Sequence, residues 1–226
     1  VEREWEITRQ RVPALGAAQL ERARSYFTAP PYRPLDDATA DSLLARQRAA
    51  NRAFDRWMSR NVSGHRVPGY AIVTLSLKPT GIAPGDATDR QMERIADLAD
   101  SYSFGEIRVT HGQNLVLADV EKEKLFALWE AARDAGLATP NIGMLTDIIC
   151  CPGGDSCSLA NAKSIPVAEA IQRRFDDLDY LHDLGDIHLN ISGCMNACGH
   201  HHVGQIGILG VDKKGEEFYQ VSLGGD

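Results

Sequence analysis

In Ala71-Ile72-Val73-Thr74-Leu75-Ser76-Leu77, the residues Ala71, Val73, Leu75 and Leu77 alternate with Ile72, Thr74 and Ser76. Period two over such a run marks a strand. A loop rich in glycine and proline follows, over residues 79–86. Thr88-Asp89-Arg90-Gln91 then fits a capping box, with the Thr88 hydroxyl taking the Gln91 N–H and the Gln91 side chain reaching back. Ile95, Leu98 and Ala99 give the buried face of the helix that starts there. Ile107 and Val109 mark a second strand, and Leu115 and Leu117 a third. His111-Gly112 lies between them, where a tight turn is needed. A second helix from about residue 121 is expected to stop near Gly136.

Strand, helix, strand, strand, helix is half of a ferredoxin-like sandwich, so residues 66–137 are expected to form a compact α+β unit. Residues 1–65 read as a peripheral connector with two helices. Leu43, Gln47, Ala50, Phe54 and Trp57 recur at helical spacing over residues 39–60. Arg52, Arg56 and Arg60 form a second stripe, read first as a solvated face and otherwise as a docking surface for an acidic partner. Ala29-Pro30-Pro31-Tyr32-Arg33-Pro34 separates this region from the helix before it. Downstream, residues 164–175 read as a helix, and residues 187–191, 206–211 and 218–223 as strands. The chain opens at Val1 without a methionine and closes at Gly224-Gly225-Asp226 just after the last strand, which reads as a piece of a longer polypeptide.

The chain has 226 residues, 24 basic and 31 acidic, for a net charge of −7. That balance argues against a nucleic-acid partner. No run approaches the roughly 18 apolar residues of a membrane span. No secretory leader is read, so a reducing, cytoplasmic setting is expected.

All five cysteines follow residue 149: Cys150, Cys151, Cys157, Cys194 and Cys198. A secreted disulfide scaffold would be shorter and would spread them. Five residues separate Cys151 from Cys157, and three separate Cys194 from Cys198. Paired ligands of structural zinc usually have two to four residues between them, so zinc fits the first pair poorly. A four-iron cluster has its irons at separate corners and takes wider spacing. Zinc and disulfides remain the alternatives. Pro152-Gly153-Gly154 and Gly193 allow the backbone to aim N–H groups at sulfur. Cys150 reads as a small buried neighbour. Gly193, Gly199, Gly204, Gly207 and Gly210 crowd the second pair, which suggests backbone passing close to something large and flat; tight turns are the other reading.

The run Thr146-Asp147-Ile148-Ile149-Cys150-Cys151-Pro152-Gly153-Gly154-Asp155-Ser156-Cys157-Ser158-Leu159-Ala160, followed by Gly193-Cys194-Met195-Asn196-Ala197-Cys198-Gly199, resembles the sirohaem and [4Fe-4S] domain of nitrite and sulfite reductases. Residues 69–137 are similar to that family's ferredoxin-like half-domain. Arg108-Val109-Thr110-His111-Gly112-Gln113-Asn114-Leu115 resembles its cofactor-facing strand and turn. Within the family the likeness is greatest to the bacterial assimilatory sulfite reductase haemoprotein.

The resemblance implies an α+β fold, with a ferredoxin-like half-domain over 66–137 followed by an α/β sirohaem and Fe–S domain over 138–226. It implies the second of two pseudo-repeats, with the anion-binding basic residues in the first. Cys151, Cys157, Cys194 and Cys198 would ligate a [4Fe-4S] cluster, with Cys198 shared with the sirohaem iron. Thr110, Gln113, Asn114 and Asn196 would reach sirohaem; turn stabilisation by Asn114 and loop capping by Asn196 are the alternatives. Arg108, His111 and Lys163 are further candidates. His200, His201 and His202 cannot all face one site, and a structural or solvent role is expected for each. The implied reaction is six-electron reduction of sulfite to sulfide, with nitrite to ammonia as runner-up. An Fe–S module for electron transfer or structure, without catalysis in isolation, is the rival of another class. The sequence carries no flavin or nicotinamide fingerprint, so a separate ferredoxin or flavoprotein reductase is the expected donor.

Overall fold

The computed structural model describes residues 2–11 and 16–225. The chain falls into two units, Val1–Arg33 and Pro34–Asp226. The first holds helices α1 (Glu2–Arg11) and α2 (Ala17–Arg24), and an extended, proline-bearing stretch runs across the boundary to residue 36.

The second unit opens with α3 (Asp37–Ala50) and α4 (Arg52–Asn61). Sequence periodicity reads through both, but Asn51 divides them. Its backbone is extended, and its side chain accepts the N–H of Phe54 at 3.0 Å, capping α4. Residues 1–65 therefore hold four helices rather than two among the described residues. Phe54 and Trp57 of α4 are fully buried with Val73, Leu75, Ile95, Leu117 and Leu128. This helix is built into the core rather than lying at the periphery.

That core covers a four-stranded antiparallel sheet of order β1-β2-β4-β3, with β1 (Val62–Gly64), β2 (Tyr70–Leu75), β3 (Arg108–Val109) and β4 (Leu115–Glu121). Helices α5 (Asp89–Tyr102) and α6 (Leu125–Asp134) supply apolar faces to the same core. The capping box forms, with Gln91 N–H donating to Thr88 Oγ1 at 3.2 Å and Thr88 N–H to Gln91 Oε1 at 3.0 Å. Gly136 ends α6 with a φ of +72°.

A second four-stranded sheet has the order β5-β6-β7-β8, from β5 (Ile149–Cys150), β6 (Leu189–Ser192), β7 (Ile206–Lys213) and β8 (Glu216–Leu223). The first three run parallel and β8 returns antiparallel. Between β5 and β6 lie α7 (Ile165–Arg174) and α8 (Leu178–Leu184). Met144, Ile148, Cys150, Ala168, Leu181 and Ile191 form the core here.

Arg52 and Arg56 both pair with Asp179 on α8, Arg52 at 2.7 Å, and Arg60 pairs with Asp186 just beyond it. The arginine row is thus not a bare solvated face: it ties α4 to α8.

Candidate cofactor site

The strands β5 and β6 are parallel neighbours, paired Ile149↔Asn190 and Cys150↔Ile191, so their C-terminal ends lie side by side. Cys151 follows the first and Gly193-Cys194 the second. The C-terminal rim of a parallel sheet is where such folds bind ligands. Cys151 N–H donates to Ile191 O at 3.1 Å, and Gly193 N–H donates to Cys151 Sγ at 3.1 Å. A third loop joins them: Asn161 and Ala162 N–H groups donate to Gly193 O at 2.9 and 3.1 Å, and Gly154 N–H to Ala162 O at 2.9 Å.

The glycines make this interlacing possible. A Cβ on Gly193 would lie 2.7 Å from both Ala162 O and Gly153 Cα, and one on Gly199 would strike Ile191 O. One on Gly207 would strike His201 O. Protein backbone alone already requires glycine at these positions.

The five thiols are free. Cys150 is buried in the second core, and burial first, then the neighbouring Cys151, pushes its thiol up to about 12. It is an inert, apolar side chain, as its sequence context suggests. Cys194 is buried, Cys151 and Cys157 are half-buried, and Cys198 is exposed. Among the described residues, no group of three or more His, Cys, Asp or Glu side chains converges to hold a single metal ion. A cubane takes one thiolate per corner and needs no such point of convergence. A set of thiolates on two hydrogen-bonded loops, with an N–H already aimed at one sulfur, fits that group.

The half-domain reaches this site through its 110–114 turn. Thr110 Oγ1 donates to Asn114 O at 3.0 Å and accepts Asn114 N–H at 3.2 Å, closing the turn. Gln113 adopts a φ of +57°. Its Nε2 donates to Cys150 O at 2.8 Å and its Oε1 accepts Cys150 N–H at 2.8 Å. One primary amide thereby pairs with the backbone as a neighbouring strand residue would. Asn114 is buried; its Oδ1 accepts Leu77 N–H at 3.1 Å and its Nδ2 donates to Asp147 Oδ1 at 2.9 Å. Thr110, Gln113 and Asn114 meet Cys150, Pro152 and Ile165 around a cavity of about 790 Å³.

Sequence reasoning missed the ion pair beneath this turn. Lys78 is fully buried, with Nζ 2.8 Å from Asp147 Oδ1 and donating to Gly112 O at 2.5 Å. Burial holds its pKa below the ordinary lysine value, against the pull of Asp147. The signal available was a lysine directly after an alternating apolar run.

Asn196 lies exposed between Cys194 and Cys198 and caps no loop by a side-chain hydrogen bond among the described residues. Lys163 is engaged through its backbone: its N–H donates to Glu217 and its carbonyl accepts the Tyr219 hydroxyl at 2.8 Å. Of the three histidines, His200 and His202 are exposed, and burial lowers the pKa of His201.

Residues 68–135 match the profile described as the nitrite/sulfite reductase ferredoxin-like half domain. This segment thus carries the ferredoxin-like half domain of the nitrite and sulfite reductase family. It is 28% identical over 209 residues to the chloroplastic ferredoxin–nitrite reductase of Betula pendula, covering 86% of this chain and 32% of that protein. It is 31% identical over 160 residues to sulfite reductase [ferredoxin] 2 of Mycolicibacterium paratuberculosis, covering 66% of this chain and 29% of that one. The solved structure of Mycobacterium tuberculosis NirA superposes with a TM-score of 0.56 at 25% identity, covering 73% of this chain and 30% of NirA. The chain spans about a third or less of the length of the relatives it matches.

Proposed function

We propose that Cys151, Cys157, Cys194 and Cys198 hold a [4Fe-4S] cluster, and that Cys198 also ligates the iron of a sirohaem. In this reading residues 1–65 are a connector, 66–137 the half-domain and 138–226 the cofactor domain of a sulfite reductase that reduces sulfite to sulfide. The observation that carries it is the pair of cysteine loops leaving adjacent parallel strands, with the Gly193 N–H donating to Cys151 Sγ. When bound, the paired cofactors supply electrons one at a time for a six-electron reduction. The protein's part is to hold and orient. Gly193 offsets charge on the Cys151 sulfur, and Gln113 fixes the backbone one residue before it. The exposure of Cys198 suits a ligand shared with a group outside the fold. Asn196, beside it and exposed, has amide donors for a cofactor carboxylate. Thr110, Gln113 and Asn114 shape the cavity wall.

Electrons come from a separate ferredoxin or flavoprotein reductase, and the anion-binding basic residues belong to the first pseudo-repeat. Reduction of nitrite to ammonia is the second reading, favoured by the nitrite reductase that aligns over most of the chain. Without the first repeat, the chain acts as an electron-transfer module. No described helix is long and apolar enough to cross a membrane, and a cytoplasmic setting belongs to this reading.

The test is anaerobic reconstitution followed by iron, acid-labile sulfide and visible absorbance. About four irons and about four sulfides per chain are expected, as a cubane requires. A chain that takes up a single zinc, or no iron, overturns the reading. Turnover of sulfite against nitrite in the full-length enzyme decides the substrate.

A further inference from the structure

Ser164 is fully buried and directly precedes α7. A serine there ordinarily accepts the N–H of the second or third helical residue. Ser164 does not: its φ of −106° and ψ of −39° are helical rather than extended, and its side chain makes no cap hydrogen bond. Its hydroxyl lies instead 3.7 Å from Cys151 Sγ. The fold reserves room for it. A Cβ on Gly153 would collide with Ser164 Oγ, and one on Gly193 would come within 3.0 Å of it. The same sulfur already receives the Gly193 N–H at 3.1 Å.

We propose that Ser164 is a tuning residue for the iron–sulfur centre, its hydroxyl donating to the Cys151 sulfur as a second donor beside Gly193. This rests on the cluster reading of Cys151. A ligating thiolate has no proton to give, so in the loaded protein the serine is the donor. Negative charge on the sulfurs grows when the cluster accepts an electron. A donor at the sulfur therefore favours the reduced state and raises the reduction potential.

The experiment is a redox titration of the reconstituted full chain, followed by electron paramagnetic resonance, for the native protein, Ser164→Ala and Ser156→Ala. Ser156 is exposed on the same loop and controls for loss of a nearby hydroxyl. Ser164→Ala is expected to load iron as the native chain does and to titrate at a more negative potential, with Ser156→Ala unchanged. The reduced native cluster is also expected to couple to an exchangeable proton that Ser164→Ala lacks. Equal potentials in a fully loaded Ser164→Ala overturn the tuning role alone. A native chain that binds no cluster overturns the cluster reading and this inference with it. If Ser164→Ala fails to load, the native cluster decides by count: a second exchangeable proton coupling beside that of the Gly193 N–H supports the tuning role, and a single one overturns it.

Discussion

The amide side chains of Gln113 and Asn114 draw attention in the sequence as candidates to reach a cofactor, yet each is bonded within the protein. Their partners lie 37 and 33 residues further along, at Cys150 and Asp147. No local pattern reveals a partner at that distance. What was legible was the turn; its junction with the cysteine segment and the direction of each amide were not. Gln113→Ala leaves a backbone N–H and carbonyl at Cys150 without partners. It is expected to cost about 1–3 kcal/mol, the usual penalty for stranded buried groups, in chemical denaturation. Lys78 carries a pH signature. Its folded pKa lies below the ordinary 10.5, so the folded state binds fewer protons across that interval. The contribution is fully present above 10.5 and is lost as pH falls through the lowered value. Unfolding free energy is expected to rise with pH across the window, and Lys78→Met to remove the slope. That change also removes the counter-charge of Asp147, to which only the neutral donors Asn114 and Gly143 N–H then remain, and a loss of up to about 3–5 kcal/mol at neutral pH accompanies it.

Long elements announced themselves; among short ones, β3 was read from Ile107 and Val109, while β1 and β5 were not. The alternation of β2 and the capping box of α5 were legible because each pattern is complete within its own residues. The strands β1 and β5 have three and two residues and carry no readable period. Apolar spacing also hid the break between α3 and α4, since Leu43, Phe54 and Trp57 keep the same helical phase across it. The cap at Asn51 is what makes two helices of one pattern. Asn51→Ala is expected to lower stability by about 1 kcal/mol, with Asn51→Gly lowering it less, in urea titrations of each.

Across the whole chain, the arginines of α4 and the aspartates on and just beyond α8 join the helical segment before residue 66 to the cysteine-bearing region. Charge reversal at Arg52, Arg56 and Arg60 is expected to lower Tm whether or not an electron donor is present, and the deficit to change with salt. An unchanged Tm would return the row to its reading as an open docking surface. The sequence placed the cysteines in one region but gave no view of which strands pair, because parallel pairing is fixed by the crossover between strands rather than by either strand. That topology also sets an order of events in time. The two loops of the site meet only when β5 pairs with β6, and the Gly193–Cys151 contact spans 42 residues. The segment between them includes α7 and α8, and such non-local closure is among the slower steps of folding. A nascent chain thus contains Cys151 and Cys157 before Cys194 and Cys198 have been added. Until both pairs have been made and the crossover has closed, the four thiols do not share one site, so assembly of the site is the last event in the folding of this region.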